Sequence, residues 1–198
     1  MELYVLDVTA LSGREDEALE RLSPGRRDKA LRLRRDLPRL QSIGAGLLLA
    51  RFFPGRDPLA GPNGKPFFPG GREFSLSHSG DLAVIALAEV PVGADVQQVR
   101  PVTDAVLRRV LSPAEREGGD FFALWTRKEA VLKCLGTGLD RELRSLDVLE
   151  DTVAQDGATL FLHTERYKDC MISAAASGVP AVFTPRELTA DELLPRKE

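Results

Sequence analysis

The chain of 198 residues carries 27 basic and 30 acidic side chains, which gives a formal net charge of −3. Its composition, 43% apolar and 29% charged, is typical of a folded globular protein and excludes a disordered, collagen-like or coiled-coil chain. A chain of this length can bury a stable core without disulfide or metal cross-links, as one domain or as two small lobes that share a core.

Helices and strands alternate in the first hundred residues, and Pro54-Gly55 marks the end of a long helix. The patterns predict a strand at 3–8, helices within 14–36 that break near residues 23–25, a long helix at 39–53, a loop at 54–71 and strands at 74–77, 82–89 and 92–99.

The second half begins with two helix start signals. Ser112 and Glu115 form a capping box with Pro113 at the first helical position. Asp120 is expected to cap the next helix, which extends to about residue 135 and ends at Gly136. Further strands are predicted near 144–149, 159–165, 169–176 and 180–184, with a loosely held tail from residue 185.

A weak internal repeat relates the two halves. Residues 81–88 resemble residues 169–176, and the helix end 47–50 resembles 130–133. We therefore predict an α+β fold of two similar lobes related by pseudo-two-fold symmetry, each a long helix packed on a small antiparallel sheet. The predicted divisions are an N-terminal lobe 1–101, a C-terminal lobe 102–185 and a C-terminal tail 186–198, with a ligand cleft between the lobes.

The sequence favours a cytoplasmic protein without a membrane partner. The longest uncharged apolar run, residues 43–50, is shorter than the roughly 20 residues that span a bilayer. The N terminus has no basic leader followed by an apolar stretch, so no secretion signal is expected. Cys134 and Cys170 lie among apolar residues and are expected to be buried, reduced thiols.

The first candidate for chemistry combines a Gly64-Lys65 loop with a Ser77-His78 turn. Together they offer a cation, a hydroxyl and an imidazole, which suit phosphate oxygens. A polar loop and turn without any ligand would give the same pattern.

A second candidate is Asp95, which lies in an otherwise apolar strand with Gln97 on the same face. An acid in a half-buried strand is costly unless it is paired or holds a metal. Local hydrogen bonds at the end of the strand are the alternative.

A third candidate is the helix at 121–135, where Glu129 and Lys133 lie four residues apart on one face. Taken alone, they form an ordinary surface ion pair worth less than about 1 kcal/mol. Trp125 is expected to anchor this helix in the core.

The three segments together favour a metal-assisted reaction on a diphosphate. Mg²⁺ takes one or two carboxylates along with phosphate oxygens and water, and Asp95 and Glu129 would supply the carboxylates. Lys65, His78 and Lys133 would meet the anionic ligand, in a chemistry where positioning and charge neutralisation contribute most of the catalysis.

With these segments in this order, the sequence resembles the 4′-phosphopantetheinyl transferases, in particular the longer single-chain, two-lobe type of the surfactin-synthetase activator. The order and spacing of short motifs match over roughly residues 39–140. The matching motifs are Gly64-Lys65-Pro66, Leu76-Ser77-His78-Ser79, Gly93-Ala94-Asp95-Val96, Trp125-Thr126-Arg127-Lys128-Glu129-Ala130, Lys133 and Gly136-Thr137-Gly138-Leu139.

The resemblance implies transfer of the 4′-phosphopantetheine group from coenzyme A to a serine of an apo acyl or peptidyl carrier protein, with release of adenosine 3′,5′-bisphosphate. Asp95 and Glu129 would hold Mg²⁺, with Glu129 also acting as a base and Lys133 neutralising charge on the diphosphate. Coenzyme A contacts are assigned to Lys65, Ser77, His78 and, with a less clear role, Lys128. A monomer is expected because one chain contains both lobes.

Position 97 departs from the family pattern, because many members carry a second acid two residues after the aspartate and this chain has Gln97. Gln97 can still reach a magnesium ion through its carbonyl or through water, with one negative charge fewer in the site. The alternative is a catalytically impaired homologue that binds coenzyme A or a carrier protein.

A basic segment, residues 21–39, holds eight basic and two acidic residues, a local net charge of +6. Such asymmetry requires an anionic partner or a solvated helix face. A nucleic-acid site is disfavoured because the segment has no aromatic residue and the whole chain is acidic. Coenzyme A or the carrier is the expected partner, and Arg39 and Ser42 at the start of the long helix are the expected contacts.

Overall fold

The computed structural model describes residues 1–61, 63–138 and 143–195. Leu139 of the last motif and residues 196–198 of the predicted tail lie outside the described residues. The strands are β1 (Glu2–Asp7), β2 (Leu59–Ala60), β3 (Pro66–Phe67), β4 (Glu73–Ser79), β5 (Leu82–Ala88), β6 (Val92–Gln98), β7 (Thr152–Gln155), β8 (Ala158–Tyr167), β9 (Cys170–Ser177) and β10 (Arg186–Glu187). The helices are α1 (Glu15–Arg21), α2 (Pro24–Leu31), α3 (Asp36–Phe52), α4 (Asp104–Val110), α5 (Pro113–Gly118), α6 (Phe121–Leu135) and α7 (Ala190–Leu193), with short 3-10 helices at Val8–Leu11 and Leu143–Ser145.

Two four-stranded sheets form the centre of the molecule. The first has the strand order β10-β1-β5-β4 and the second β6-β9-β8-β7. All pairings are antiparallel except that of β1 with β10. The mixed α+β class with antiparallel sheets is therefore confirmed.

Three apolar clusters hold the layers together. One lies between α3 and the first sheet, with Ile43, Leu48 and Ile85 at its centre. Another joins the inner faces of the two sheets, and the third lies between α6 and the second sheet. The order of layers is thus helix, sheet, sheet, helix, and the middle cluster is a core that both sheets share.

The two sheets meet along a seam formed by residues 75–79 of β4 and residues 94–98 of β6. Serine hydroxyls take the place of backbone pairing there: Ser75 Oγ accepts from the amide of Ala94 at 3.0 Å, and Ser79 Oγ accepts from the amide of Gln98 at 3.1 Å. The alternation of β4 places all these serines on one face. The repeated serines of this strand therefore satisfy the free edge of β6, which would otherwise have unpaired amides.

Helix α6 lies very close to β6 at Gly93. A methyl group on Gly93 would overlap the carbonyl oxygen of Ala130 and the amide nitrogen of Cys134. Only a residue without a side chain allows this approach. The close contact brings the face of α6 that carries Glu129 against the face of β6 that carries Asp95.

Local start and stop signals were predicted correctly around α5 and α6. The capping box of Ser112 and Glu115 is present, and the Asp120 side chain accepts from the amide of Ala123. Gly136 ends α6 in the left-handed conformation, with φ of 68°. Cys134 and Cys170 are free and buried, as predicted, and burial raises their pKa values to about 11 and about 12.

Other expectations differ from the structure. Strand β6 pairs with β9 in the second sheet, although the predicted boundary near 101 placed it in the N-terminal lobe. Residues 144–149 and 180–184 are not strands, and helix α4 and strand β7 were not predicted. These segments depend on tertiary partners that local patterns do not reveal.

The segment after residue 185 is not a loose tail within its described part. Strand β10 pairs with β1, and Leu188, Leu193 and Leu194 are buried in the core of the first sheet. The apolar residues of this segment are few but all point inward, so the high charge of its sequence concealed its packing. Among the described residues, no helix is both long and apolar enough to cross a bilayer.

Replacing Gly93 with alanine tests the contact between α6 and β6. We expect Gly93→Ala to lower the free energy of unfolding by about 3 kcal/mol or more, because backbone atoms of α6 must move to admit the methyl group. Urea unfolding followed by circular dichroism measures the change. Gly118→Ala is the matched control, since no atom lies within 4 Å of a methyl group there; a similar loss in both variants would contradict the close contact.

Candidate functional site

Asp95 lies at the centre of the site, on the face of β6 that α6 covers. Its side chain is only 8% exposed. The Ser77 hydroxyl donates to Asp95 Oδ1 at 2.7 Å, and Lys133 Nζ donates to the same oxygen at 2.6 Å. One carboxylate oxygen is thus fixed by two donors, while Oδ2 has no hydrogen-bond partner among the described residues.

Glu129 faces Asp95 from α6, one helical turn before Lys133. It is half-buried and has no hydrogen-bond partner in the described part of the chain. Burial raises the pKa of Glu129, and the negative charge of Asp95 raises it further. The two carboxylates therefore repel each other, and a cation bound between them would relieve this repulsion.

Lys133 closes the site on the side of β6. Besides the ion pair with Asp95, its ammonium donates to the carbonyl of Ala94 at 3.1 Å. The side chain is 30% exposed, so this cation also faces the cavity. The predicted association of Asp95, Glu129 and Lys133 is present in the structure.

A first cavity of about 270 Å³ opens beside Glu129 and Lys133. Its walls combine the 63–66 loop, the outer part of β4 and the end of α6. The lining residues are Asn63, Gly64, Lys65, Pro66, Phe74, Ser75, Leu76, Glu129, Leu132, Lys133, Gly136 and Gly138. A mostly apolar hollow with a few charged groups at one end is the usual form of a small-molecule site.

Lys65 lines this cavity, but its ammonium is already engaged by the protein. Lys65 Nζ donates to the carbonyls of Val92 and Cys134, both at 3.2 Å, and lies 3.6 Å from a Glu73 carboxylate oxygen. A cation at the end of α6 meets carbonyl oxygens that lack intrahelical partners. Lys65 thus fixes the loop to α6, and it lies in the wall of the cavity where the expected phosphate contact would form.

Ser77, a predicted coenzyme A contact, is engaged within the protein. Its side chain is buried and its hydroxyl donates to Asp95. Ser77 therefore orients the acid.

His78 lies on the outer side of β4, close to a group of cations. Burial lowers the pKa of His78, and the positive charges of Lys133, Lys29 and Arg26 lower it further. Arg26 and Lys29 come from α2, within the basic segment. A bound anion would remove the mutual repulsion of these groups.

The expected contacts of the basic segment, Arg39 and Ser42, are placed differently. Arg39 donates to the carbonyl of Leu33 at 2.9 Å. Ser42 is buried beneath Arg26, whose guanidinium donates to the Ser42 carbonyl at 3.0 Å. The sequence did not single out Arg26 and Lys29. Eight basic residues lie in this segment, and their order does not show which of them the folded α2 places near His78.

Lys128 does not line either cavity, so its assignment as a coenzyme A contact is wrong. Its side chain is fully buried and forms an ion pair with Glu115 at 2.8 Å, in which both side chains have 0% exposure. The remaining N–H groups donate to the carbonyls of Leu143 and Leu146 at 2.8 and 2.5 Å. Burial lowers the pKa of Lys128, and the Glu115 carboxylate opposes that shift.

Gln97 faces a second cavity of about 330 Å³ at the other end of α6. Trp125 lines the same cavity and is only partly buried, and it packs against the apolar cluster between α6 and the second sheet, as expected for an anchor of this helix. Within the described residues, no group of three or more His, Cys, Asp or Glu side chains could form a metal site. The protein would therefore offer a metal two carboxylates, and Gln97 lies beside a different hollow.

Comparison with known proteins identifies the family. The profile of the 4′-phosphopantetheinyl transferase superfamily matches residues 91–183, and 4′-phosphopantetheinyl transferase AcpT of Salmonella typhi is 30% identical over 162 residues, 74% of this chain and 80% of AcpT. The chain belongs to the 4′-phosphopantetheinyl transferase superfamily. This confirms the family that the short motifs indicated.

Two Bacillus transferases show how far the similarity extends. The 4′-phosphopantetheinyl transferase of Bacillus subtilis is 27% identical over 196 residues, 87% of this chain and 85% of that protein. Psf-1 of Bacillus pumilus is 33% identical over 109 residues, 50% of this chain and 46% of psf-1. The matched part of this chain thus corresponds to less than half of psf-1.

Replacing Lys128 tests its structural role. We expect Lys128→Met to destabilise the fold by about 3–5 kcal/mol, because the Glu115 charge would stay buried without its partner. Chemical unfolding measures this, and the double variant Lys128→Met/Glu115→Gln should recover most of the loss. Arg116→Met, an exposed cation on the same helix as Glu115, should change stability by less than about 0.5 kcal/mol; equal effects of the two single variants would contradict the assignment.

Proposed function

We propose that the protein transfers the 4′-phosphopantetheine group from coenzyme A to a serine of an apo acyl or peptidyl carrier protein. The observation that carries this proposal is the juxtaposition of Asp95, Glu129 and Lys133 beside the first cavity, in a chain that belongs to this superfamily. Two carboxylates and one cation at the mouth of a small-molecule cavity suit a reaction at a diphosphate.

The residues at the site fit a magnesium ion. Asp95 Oδ2 and both oxygens of Glu129 lack partners in the described chain, and oxygen ligands are those that Mg²⁺ prefers. Asp95 and Glu129 would hold the ion, and phosphate oxygens and water would complete its shell. When bound, the ion would neutralise negative charge on the diphosphate.

The bond changes assign a task to each charged residue. The serine oxygen of the carrier forms a new bond to the phosphorus that bears the pantetheine arm, and the bond from this phosphorus to the bridging oxygen breaks. Glu129, whose pKa is raised by burial and by Asp95, takes the serine proton. Lys133 faces the charge that develops on the leaving adenosine 3′,5′-bisphosphate.

The cation group around His78 would bind the phosphates at the nucleotide end of coenzyme A. Arg26 and Lys29 extend from α2 toward His78, and each of these groups carries a pKa lowered chiefly by burial. Positive groups that lie close together favour the binding of a polyanion. The adenosine part would lie in the first cavity, against Phe74, Leu76 and the 63–66 loop.

We also propose that the two halves are lobes related by pseudo-two-fold symmetry, in a cytoplasmic monomer. The repeated segments 81–88 and 169–176 coincide with β5 and β9, each an inner strand of its sheet. Helices α3 and α6 cover the outer faces of the two sheets. Because β6 pairs with β9, we propose that the second lobe begins at about residue 91, and not at about 101.

Loading of an apo carrier protein tests the activity directly. With coenzyme A and Mg²⁺, we expect the carrier to gain one phosphopantetheine group, measured by intact-protein mass spectrometry. Glu129→Gln and Asp95→Ala should each reduce loading by at least about 100-fold, because the first removes the base and both remove a metal-binding charge. Normal loading by either variant would disprove these roles.

Gly118→Ala, at a residue that lines neither cavity, is the control for handling and folding in the loading assay. No loading of any acyl or peptidyl carrier by the wild-type protein, together with tight binding of coenzyme A, would favour the alternative of a catalytically impaired homologue. Calorimetry beside the loading assay separates the two results.

The pH dependence of coenzyme A binding tests the cation group. The free protein holds the pKa of His78 below its usual value of 6.5, and bound phosphates should raise it again. Binding should therefore take up a proton, and affinity should rise several-fold as the pH falls from above the bound-state pKa to the free-state pKa. His78→Gln should flatten this dependence in calorimetric titrations between pH 5 and 7.5; an unchanged slope would show that His78 does not meet the ligand.

A further inference from the structure

The second cavity lies at the start of α6, and the proposed transfer reaction assigns no role to it. Its volume is about 330 Å³, within the range of small-ligand pockets. The walls are formed by aromatic and aliphatic side chains with a few polar groups at the edge. The lining residues are Gln97, Arg100, Pro101, Val102, Thr103, Val106, Phe121, Phe122 and Trp125.

The cavity begins where the proposed diphosphate site ends. Gln97 follows Asp95 by two residues on the same face of β6, a separation of about 7 Å along the strand. Trp125 precedes Glu129 by about one turn of α6, a rise of about 6 Å. The first and second cavities therefore flank the two carboxylates along a single face of α6.

The side chain of Gln97 has the properties of a ligand contact. It is half-buried, lines the cavity, and its amide has no hydrogen-bond partner among the described residues. A glutamine amide both donates and accepts, so it pairs well with a secondary amide. Phe121, Phe122 and Trp125 beside it suit short aliphatic segments.

We propose that the second cavity binds the pantetheine arm of coenzyme A, with the Gln97 side chain hydrogen-bonded to one amide of the arm. This inference deepens the proposed function and rests on it. The arm is covalently joined to the diphosphate, and this cavity lies on the side of the Asp95 and Glu129 pair opposite to the first cavity, where the adenosine part is placed. Its alternating amides and aliphatic segments match the polar edge and apolar walls. Gln97 then recognises the donor substrate and is not a magnesium ligand.

The test compares two ligands that differ only by the pantetheine arm. Calorimetry in the presence of Mg²⁺ gives dissociation constants for coenzyme A and for adenosine 3′-phosphate 5′-diphosphate, an armless nucleotide that keeps both phosphates of the diphosphate. We expect Gln97→Leu to weaken coenzyme A binding by about five- to tenfold, the effect of one lost hydrogen bond. The dissociation constant of the armless nucleotide should stay the same.

A second variant fills the cavity without touching Gln97. Val106 is 39% exposed and lines the cavity, so Val106→Phe should also weaken coenzyme A binding and leave the binding of the armless nucleotide unchanged. Val182→Phe, at an exposed valine outside both cavities, is the matched control and should change neither constant.

The possible results separate this inference from the proposed function. If Gln97→Leu weakens both ligands equally, Gln97 acts at the nucleotide or metal and the inference is wrong. If both cavity variants leave coenzyme A binding unchanged but raise the KM for the carrier protein, the cavity receives the carrier, and the inference is again wrong. If the wild-type protein binds neither nucleotide, the proposed function fails together with the inference.

Discussion

The close approach of α6 to β6 sets the geometry of the whole site. At Gly93 the helix backbone lies directly on the strand, so the next residues along each element face one another at short range. Asp95 then meets Lys133 and Glu129, and Gln97 meets the hollow beside Trp125. A site placed on two packed secondary-structure elements holds its groups more firmly than one on loops. The absence of a side chain at Gly93 thus allows Asp95, Glu129 and Lys133 to lie close together.

The charged side chains around this contact are of two kinds: some are completely buried, and others are accessible to solvent. Lys128 and Glu115 are completely buried and paired with each other, and Lys128 also donates to two backbone carbonyls, so they shape the fold near α6. Glu129, Lys133 and His78 remain partly open, and Glu129 and His78 have pKa values shifted toward their uncharged forms. Perturbed, accessible groups are those expected to act on a ligand. Lys128 and Glu129 are adjacent in α6 but lie on different sides of it. Lys128 is in the interior, and Glu129 is in the site.

Much of this arrangement could be predicted from the sequence, because the signals were local. The capping box at Ser112, the cap at Asp120 and the stop at Gly136 each depend on a few neighbouring residues, and all three are present. The pairing of β6 with β9, the burial of Lys128 and the engagement of Lys65 at the end of α6 depend on tertiary packing. The direction of α2, which selects Arg26 and Lys29 from eight basic residues, is likewise a property of the folded molecule.

The return of the chain after residue 185 to the first sheet has a consequence for folding. Leu188, Leu193 and Leu194 complete the core beneath α3, and β10 forms one edge beside β1, whose other neighbour is β5. The pairing of β1 with β10 joins Tyr4 with Arg186, whereas the caps of α5 and α6 depend on near neighbours. Contacts of large sequence separation close slowly. The first sheet therefore gains its edge strand late in folding, after the helices α5 and α6 have formed.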